Sequence, residues 1–180
     1  KLLHERRIGH TGTLDPDVDG VLPICVGQAT KLVTVLQNSG KVYRGELILG
    51  LATTTEDLSG EVIERQTLRK PYSDSMVDEA MAHFKNTITQ IPPYYSAVKV
   101  KGKRLYEYAR AHQEVERPQR QVVIYHFTRL QSSQFDVKNG QQRIKFEVAC
   151  GKGTYVRTLA TDLGKCLGVP AVMSQLTRIK

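Results

Sequence analysis

The 180-residue sequence predicts a mixed α+β domain, on three observations. Residues 41–50, 121–130 and 143–150 read as β-strands, the last with apolar and charged side chains alternating at period two. Apolar side chains recur at helical spacing over 73–88 and again from about Tyr155 to Leu167. With 40% hydrophobic and 24% charged residues the chain can bury one substantial core, and no repeat, low-complexity tract or linker divides it, so residues 1–180 read as a single domain.

Taken in order, Val21 to Val26 reads as a short buried strand and Thr30 to Leu36 as a helix closed by Asn38-Ser39-Gly40. Along Lys41 to Gly50 the strand period puts Tyr43, Leu47 and Leu49 on one face and Arg44, Glu46 and Ile48 on the other. Tyr43 therefore points inward at the strand's entrance, either filling the core or forming the apolar wall of a pocket. Over 73–88, Val77, Ala80, Met81, Phe84 and Ile88 form a stripe behind Ser73, Asp74 and Ser75, any of which can cap a helix. Residues 143–150 turn Arg143, Lys145 and Glu147 outward and Ile144, Phe146 and Val148 inward. A Gly-rich turn then opens the last helix, with the stripe Val156, Leu159, Ala160, Leu163 and Leu167, ending at Gly168 with Pro170 beyond. Tyr155 and Arg157 fall in its first turn.

No apolar run approaches the length of a membrane span and no signal-peptide pattern opens the chain, so a cytoplasmic protein is expected, with no membrane partner. Cys25, Cys150 and Cys166 lack Cys-x-x-Cys spacing, which argues against a disulfide framework or a zinc knuckle and for reduced, mostly buried thiols. The net charge of +8 is unevenly spread. Residues 1–90 hold ten Lys/Arg against twelve Asp/Glu, whereas residues 91–180 hold sixteen against six. Lys99, Lys101, Lys103 and Arg104 are interleaved with Tyr94, Tyr95, Tyr106 and Tyr108. Such a stretch suits a phosphate backbone with exposed bases, or else a solvated basic loop and helix whose tyrosines face the core.

The most informative segment is Gly9-His10-Thr11-Gly12-Thr13-Leu14-Asp15-Pro16, which holds one carboxylate in a turn between glycines. Pro16 biases Asp15 away from helix, so its side chain should project from a loop, as a nucleophile, a metal ligand or an acidic turn would. Asp15-x-Asp17-x-Asp19-Gly20 copies half of an EF-hand loop, but the bidentate Glu it needs at position twelve is Val26. Gly151-Lys152-Gly153-Thr154 likewise fails as a nucleotide-phosphate loop, because Phe146 stands where its first glycine should be and Gly153 follows the lysine in place of Ser/Thr. No metal site is expected.

Four blocks together resemble the TruB family of tRNA pseudouridine synthases. They are Gly9 to Pro23 with Gly27-Gln28-Ala29-Thr30-Lys31; Lys41-Val42-Tyr43-Arg44; Ile91 to Lys99 running into Gly102 to Arg110; and Lys152 to Leu159. The resemblance implies the pseudouridine synthase fold, with a largely antiparallel central sheet, and isomerisation of a uridine in the T-arm of tRNA at position 55. It implies no cofactor, since the reaction detaches uracil and rejoins it through carbon without redox change, and a monomeric enzyme is expected. Asp15 takes the place of the family's nucleophile, Tyr43 that of the tyrosine that stacks on uracil, and Arg157 that of the arginine that pairs with the aspartate. The planar fork of Arg157 could hold that carboxylate in two-point contact. The aspartate would attack C1′, assist a glycal intermediate or add to C6, and in the glycal path Tyr43 would also help remove a proton. His10 matches the histidine that fills the space left by the flipped base. Asp57, Tyr155, Lys99, Leu176 and Arg178 match positions in or near the uracil and RNA pocket.

The family's upstream Lys-Pro-x-Gly-x-Thr-Ser strand and its carboxy-terminal RNA-binding segment are not in this sequence, so a catalytic-domain fragment is expected. Two other classes remain: an RNA-binding or chaperone module without catalysis, which the basic second half alone would serve, and a hydrolase that would release free uracil.

Overall fold

The structure is a computed structural model and describes residues 4–180. Among the described residues, thirteen strands and four α-helices follow one another as β1 (Ile8–His10), β2 (Asp19–Gly20), β3 (Ile24–Val26), α1 (Val33–Asn38), β4 (Lys41–Leu49), β5 (Leu51–Thr53), β6 (Val62–Arg65), α2 (Asp74–Ala82), β7 (Asn86–Gln90), β8 (Lys99–Val100), β9 (Lys103–Arg104), α3 (Leu105–Arg110), β10 (Arg120–Arg129), β11 (Gln134–Asp136), β12 (Gln141–Cys150), α4 (Val156–Leu167) and β13 (Ala171–Arg178).

The main sheet runs β2-β13-β4-β12-β10-β7, with β11 beside β12. Every pairing in it is antiparallel except that of β2 with β13. Its centre is the β4–β12 ladder, which pairs Lys41 with Cys150 through to Leu49 with Gln142. The alternation read from the sequence holds: Leu47, Leu49, Ile144, Phe146 and Val148 are fully buried under α2 and α4, while Ile48 joins Leu51 and Val172 in a small second cluster. Phe127 meets Phe84 and Phe146 edge to face, at centroid distances of 6.2 and 5.4 Å. The last helix also forms as expected, ending where Gly168 enters the left-handed region at φ 75°.

Three elements differ from the sequence reading. Val21 to Val26 is not a buried strand: only Ile24–Val26 pairs, with β1 outside the main sheet, and Val21 and Ile24 are about half exposed. The helix expected over 30–36 begins as a 3₁₀ turn over Gly27–Leu32 and becomes α-helical at Val33, with Leu32, Val35 and Leu36 exposed. The helix expected over 73–88 is capped by Ser73, whose Oγ accepts from Met76 N–H at 3.3 Å, but stops at Ala82. Asn86 takes φ 78°, and Thr87-Ile88-Thr89 joins the sheet edge with Ile88 opposite Val122. β-Branched residues beside an open strand edge prefer that pairing. Cys25 and Cys150 are buried and Cys166 is exposed. Burial pushes the Cys150 thiol up to about 11.

Candidate active site

The loop from Thr11 to Val21 is shaped by its own turn and by the last strand. Val18 N–H donates to the Asp15 carbonyl at 3.0 Å, closing a turn around Pro16 that leaves the Asp15 side chain free to project. Arg178 of β13 gathers the ends of the loop: its Nε donates to the Val21 carbonyl at 2.6 Å and both terminal nitrogens reach the Gly12 carbonyl at 3.3 Å. Gly20, at φ 112°, lies so close to the Arg178 backbone that a Cβ could not fit there.

Arg157 is presented from the other side by α4. The amide of Gln90, on β7, grips the main chain just before the helix, accepting from Tyr155 N–H at 3.0 Å and donating to the Tyr155 carbonyl at 3.2 Å. In the first turn of the helix, the buried guanidinium of Arg157 places Nε 2.9 Å from Asp15 Oδ2. The two-point contact expected for this pair does not form. Nη1 donates to the Thr55 carbonyl at 2.9 Å and lies 3.5 Å from Asp57 Oδ2, and Nη2 donates to the Tyr95 carbonyl at 3.0 Å. Nε has no aligned hydrogen-bond acceptor, so its contact with Asp15 is an ion pair alone. The guanidinium is held by two main-chain carbonyls and Asp57, and one edge is left for a carboxylate that is itself 45% exposed. Asp57 is fixed in turn, its Oδ1 accepting from Thr55 Oγ1 at 2.6 Å, Ser59 Oγ at 2.5 Å and Ser59 N–H at 3.0 Å.

Asp15 and Arg157 lie where two cavities meet. The smaller, about 110 Å³, is walled by Tyr43, Leu14, Val18, Tyr155 and Leu176. Tyr43 thus serves both alternatives the sequence left open, since it also packs on the core. Burial pushes its phenol above the ordinary value, opposed in part by Arg178 alongside it. The larger cavity, about 620 Å³, runs past Asp57 and Tyr95 to Tyr106 and Arg110, a volume typical of small-molecule sites.

Of the residues singled out in the sequence, the fold therefore gathers Asp15, Tyr43, Arg157, Tyr155, Leu176 and Asp57. Three others lie elsewhere. His10 is exposed at the end of β1, its Nδ1 accepting from Gly12 N–H at 3.4 Å, and lines neither cavity. Lys99 is exposed on the β8–β9 hairpin. Arg178, matched to the RNA pocket, is only 2% exposed and spends its donors on main-chain carbonyls, so here it braces the loop. Three of the four tyrosines of the basic stretch lie under cations: Arg117 is 4.4 Å from the Tyr94 ring centre, Arg110 5.3 Å from that of Tyr106 and Lys103 5.9 Å from that of Tyr108. Sequence reasoning missed Gln90 and the Thr55 and Tyr95 carbonyls. Main-chain acceptors leave no residue-type signal, but the Thr-rich acidic run Thr53 to Asp57 could have marked the segment.

A loop aspartate set against a helix-borne arginine, on a mostly antiparallel sheet of this order, defines a domain with the pseudouridine synthase fold. The family model described as TruB family pseudouridylate synthase (N terminal domain) matches residues 1–156, and the chain belongs to that family. It is similar to the tRNA pseudouridine synthase B of Ligilactobacillus salivarius, at 62% identity over 180 residues, covering 100% of this chain and 60% of that protein. Similarity to the enzyme of the same name in Pediococcus pentosaceus is 57% over 178 residues, covering 99% and 60%. The chain thus spans about three fifths of the length of these relatives. Among solved structures, one chain of a Cbf5-Nop10-Gar1 complex superposes with a TM-score of 0.68 at 27% identity, covering 99% of this chain and 41% of that one.

Proposed function

We propose that the protein carrying this chain converts a uridine in the T-arm stem-loop of tRNA, at position 55, to pseudouridine, with Asp15 as nucleophile and no cofactor. The observation that carries the reading is the Asp15–Arg157 ion pair at the junction of two cavities, in a chain of the TruB family. In the reaction the N1–C1′ bond breaks and a C5–C1′ bond forms, while the proton on C5 is lost and N1 gains one, so atoms balance without oxidant or external energy.

A free carboxylate is already ionised at neutral pH; a fixed direction and protection from water are what a site must add. Arg157 supplies the first, because carbonyls and Asp57 hold it before substrate arrives and no reorganisation is needed. Tyr43, Val18 and Leu176 supply the second by presenting apolar surface beside Asp15. All three chemical routes, through C1′, a glycal or C6, need that same placed oxygen. A uracil inside a folded T-arm is out of reach, so the nucleotide is flipped into the site. His10, exposed beyond the Gly12 turn, would occupy the vacated stack, Arg110 would meet phosphate in the larger cavity, and Lys99, on the exposed β8–β9 hairpin, would meet the RNA backbone outside it. On this reading residues 1–180 form a single catalytic domain of a monomeric enzyme acting in the cytoplasm; among the described residues no helix is long and apolar enough to cross a membrane.

The test is nucleoside analysis of a T-arm stem-loop RNA after incubation with the full-length protein and with its Asp15→Asn variant. Carbon-linked isomer from the wild type, with conversion by Asp15→Asn reduced on the order of 10³-fold or more at unchanged RNA affinity, is the expected result. RNA binding without isomer from the wild type would overturn the reading in favour of a binding module, and free uracil would indicate a hydrolase.

A further inference from the structure

A carboxylate that the proposed chemistry leaves unused stands behind Arg157. Glu56 has φ 65°, the left-handed region that non-glycine residues seldom occupy, and such outliers persist only where their surroundings hold them. Here its carbonyl accepts from Met173 N–H at 3.2 Å and its own N–H reaches the Thr53 carbonyl at 3.4 Å. The side chain lies away from both active-site cavities and lines a third, of about 520 Å³, with Tyr94, Arg117, Thr161 and Lys165. There Oε2 accepts from Thr158 Oγ1 at 2.8 Å, and Thr158 follows Arg157 directly on α4. The residues on either side of Glu56 are the ones that hold the guanidinium, Thr55 by its carbonyl and Asp57 by its carboxylate.

We infer that Glu56 is a positioning residue for Arg157: its side chain fastens the 53–57 turn to α4 through Thr158, and so fixes the Thr55 carbonyl and Asp57 carboxylate that aim the guanidinium at Asp15. Two adjacent residues of the turn, Thr55 and Glu56, bond two adjacent residues of the helix, Arg157 and Thr158. One such link leaves a turn free to pivot; a second beside it sets the angle. Arg157, Arg117 and Lys165 face Glu56 and favour its charged form, while burial opposes that form more strongly. The link itself needs only an acceptor oxygen, because the Thr158 hydroxyl donates to a carboxylate, a carboxylic acid or an amide alike. Glutamine is therefore an adequate substitute and alanine is not.

This inference rests on the proposed function, and the test separates the two. In the full-length protein, single-turnover isomerisation of a T-arm stem-loop RNA is measured for the wild type, Glu56→Ala, Glu56→Gln, Thr158→Val and the Glu56→Ala/Thr158→Val double variant, with RNA affinity determined in parallel. Glu56→Ala and Thr158→Val should each slow conversion about tenfold at RNA affinity within about twofold of the wild type, the double variant should be no slower than either, and Glu56→Gln should recover most of the rate. Loss of folded protein alone would lower binding and conversion together. An active wild type with Glu56→Ala at full rate, with Glu56→Gln as slow as Glu56→Ala, or with additive losses overturns the positioning role and leaves the proposed function standing. No isomer from the wild type overturns both. Should Glu56→Ala not fold, Thr158→Val against Glu56→Gln makes the same comparison.

Discussion

Arg157 and Arg178 are the two nearly inaccessible arginines of the described chain, at 5% and 2% exposure, and they do different work. Around Arg157 stand two carboxylates, Asp15 and Asp57, besides two carbonyls. Among the described residues Arg178 faces no carboxylate: it bonds the Gly12 and Val21 carbonyls and lies beside the Tyr43 phenol. The first sets where a negative charge can sit; the second sets the path of the loop that brings it there. A buried guanidinium is thus not by itself a sign of chemistry, and what it faces decides its role.

The comparison predicts separable failures. Arg157→Lys should have the largest effect, reducing conversion on the order of 10²-fold in a single-turnover assay at near-normal RNA affinity, since a point charge cannot bridge two carbonyls and two carboxylates at once. Arg178→Met should strike stability first, by about 2–3 kcal/mol in urea denaturation, because the charged hydrogen bonds that tie the Gly12 and Val21 carbonyls to β13 are lost; its conversion should fall only about tenfold as the loop loosens. An Arg178→Met protein as stable as the wild type yet as slow as Arg157→Lys would erase the distinction. A smaller effect concerns Glu56. Burial raises its carboxyl above the ordinary 4.5, so the native state holds that proton more tightly than the unfolded chain. The stability this contributes is complete below pH 4.5 and is lost as pH rises through the raised value, and Glu56→Gln should abolish that part of the slope in urea midpoints taken between pH 4.5 and 7.5. Smallest is thiol reactivity. At pH 8 iodoacetamide should modify exposed Cys166 well before Cys150, and mass-spectrometric mapping of Cys150 in the two arginine variants would show which of them opens the sheet end.

Much of this contrast was legible beforehand. The glycines and proline around Asp15 point to a projecting carboxylate, the alternation of β4 places Tyr43 inward, and the stripe of α4 puts Arg157 in its first turn. Arg178 was not legible as a brace. Its motif position suggests a ligand contact, while its acceptors are main-chain atoms 157 and 166 residues away, which no pattern of side chains encodes. For the same reason the two-point grip expected of Arg157 was lost to the Thr55 and Tyr95 carbonyls. Ile88 satisfied a helical stripe yet joined a strand, because Asn86 breaks the helix and an open edge at β10 was available. The exposed sites of His10 and Lys99 follow from the short β1 and β8 elements lying outside the main sheet, a tertiary fact that local sequence does not carry.

The reach of Arg178 also sets an order of assembly. Residues 11–21 are made well before the group that shapes them, which belongs to β13, so loops of 157 and 166 residues must close before the segment that carries Asp15 is shaped. A nascent chain lacking β13 can form the β4–β12 ladder and still have no organised loop. Maturation of the site is therefore a closing event, reached only once the domain has been synthesised through Arg178.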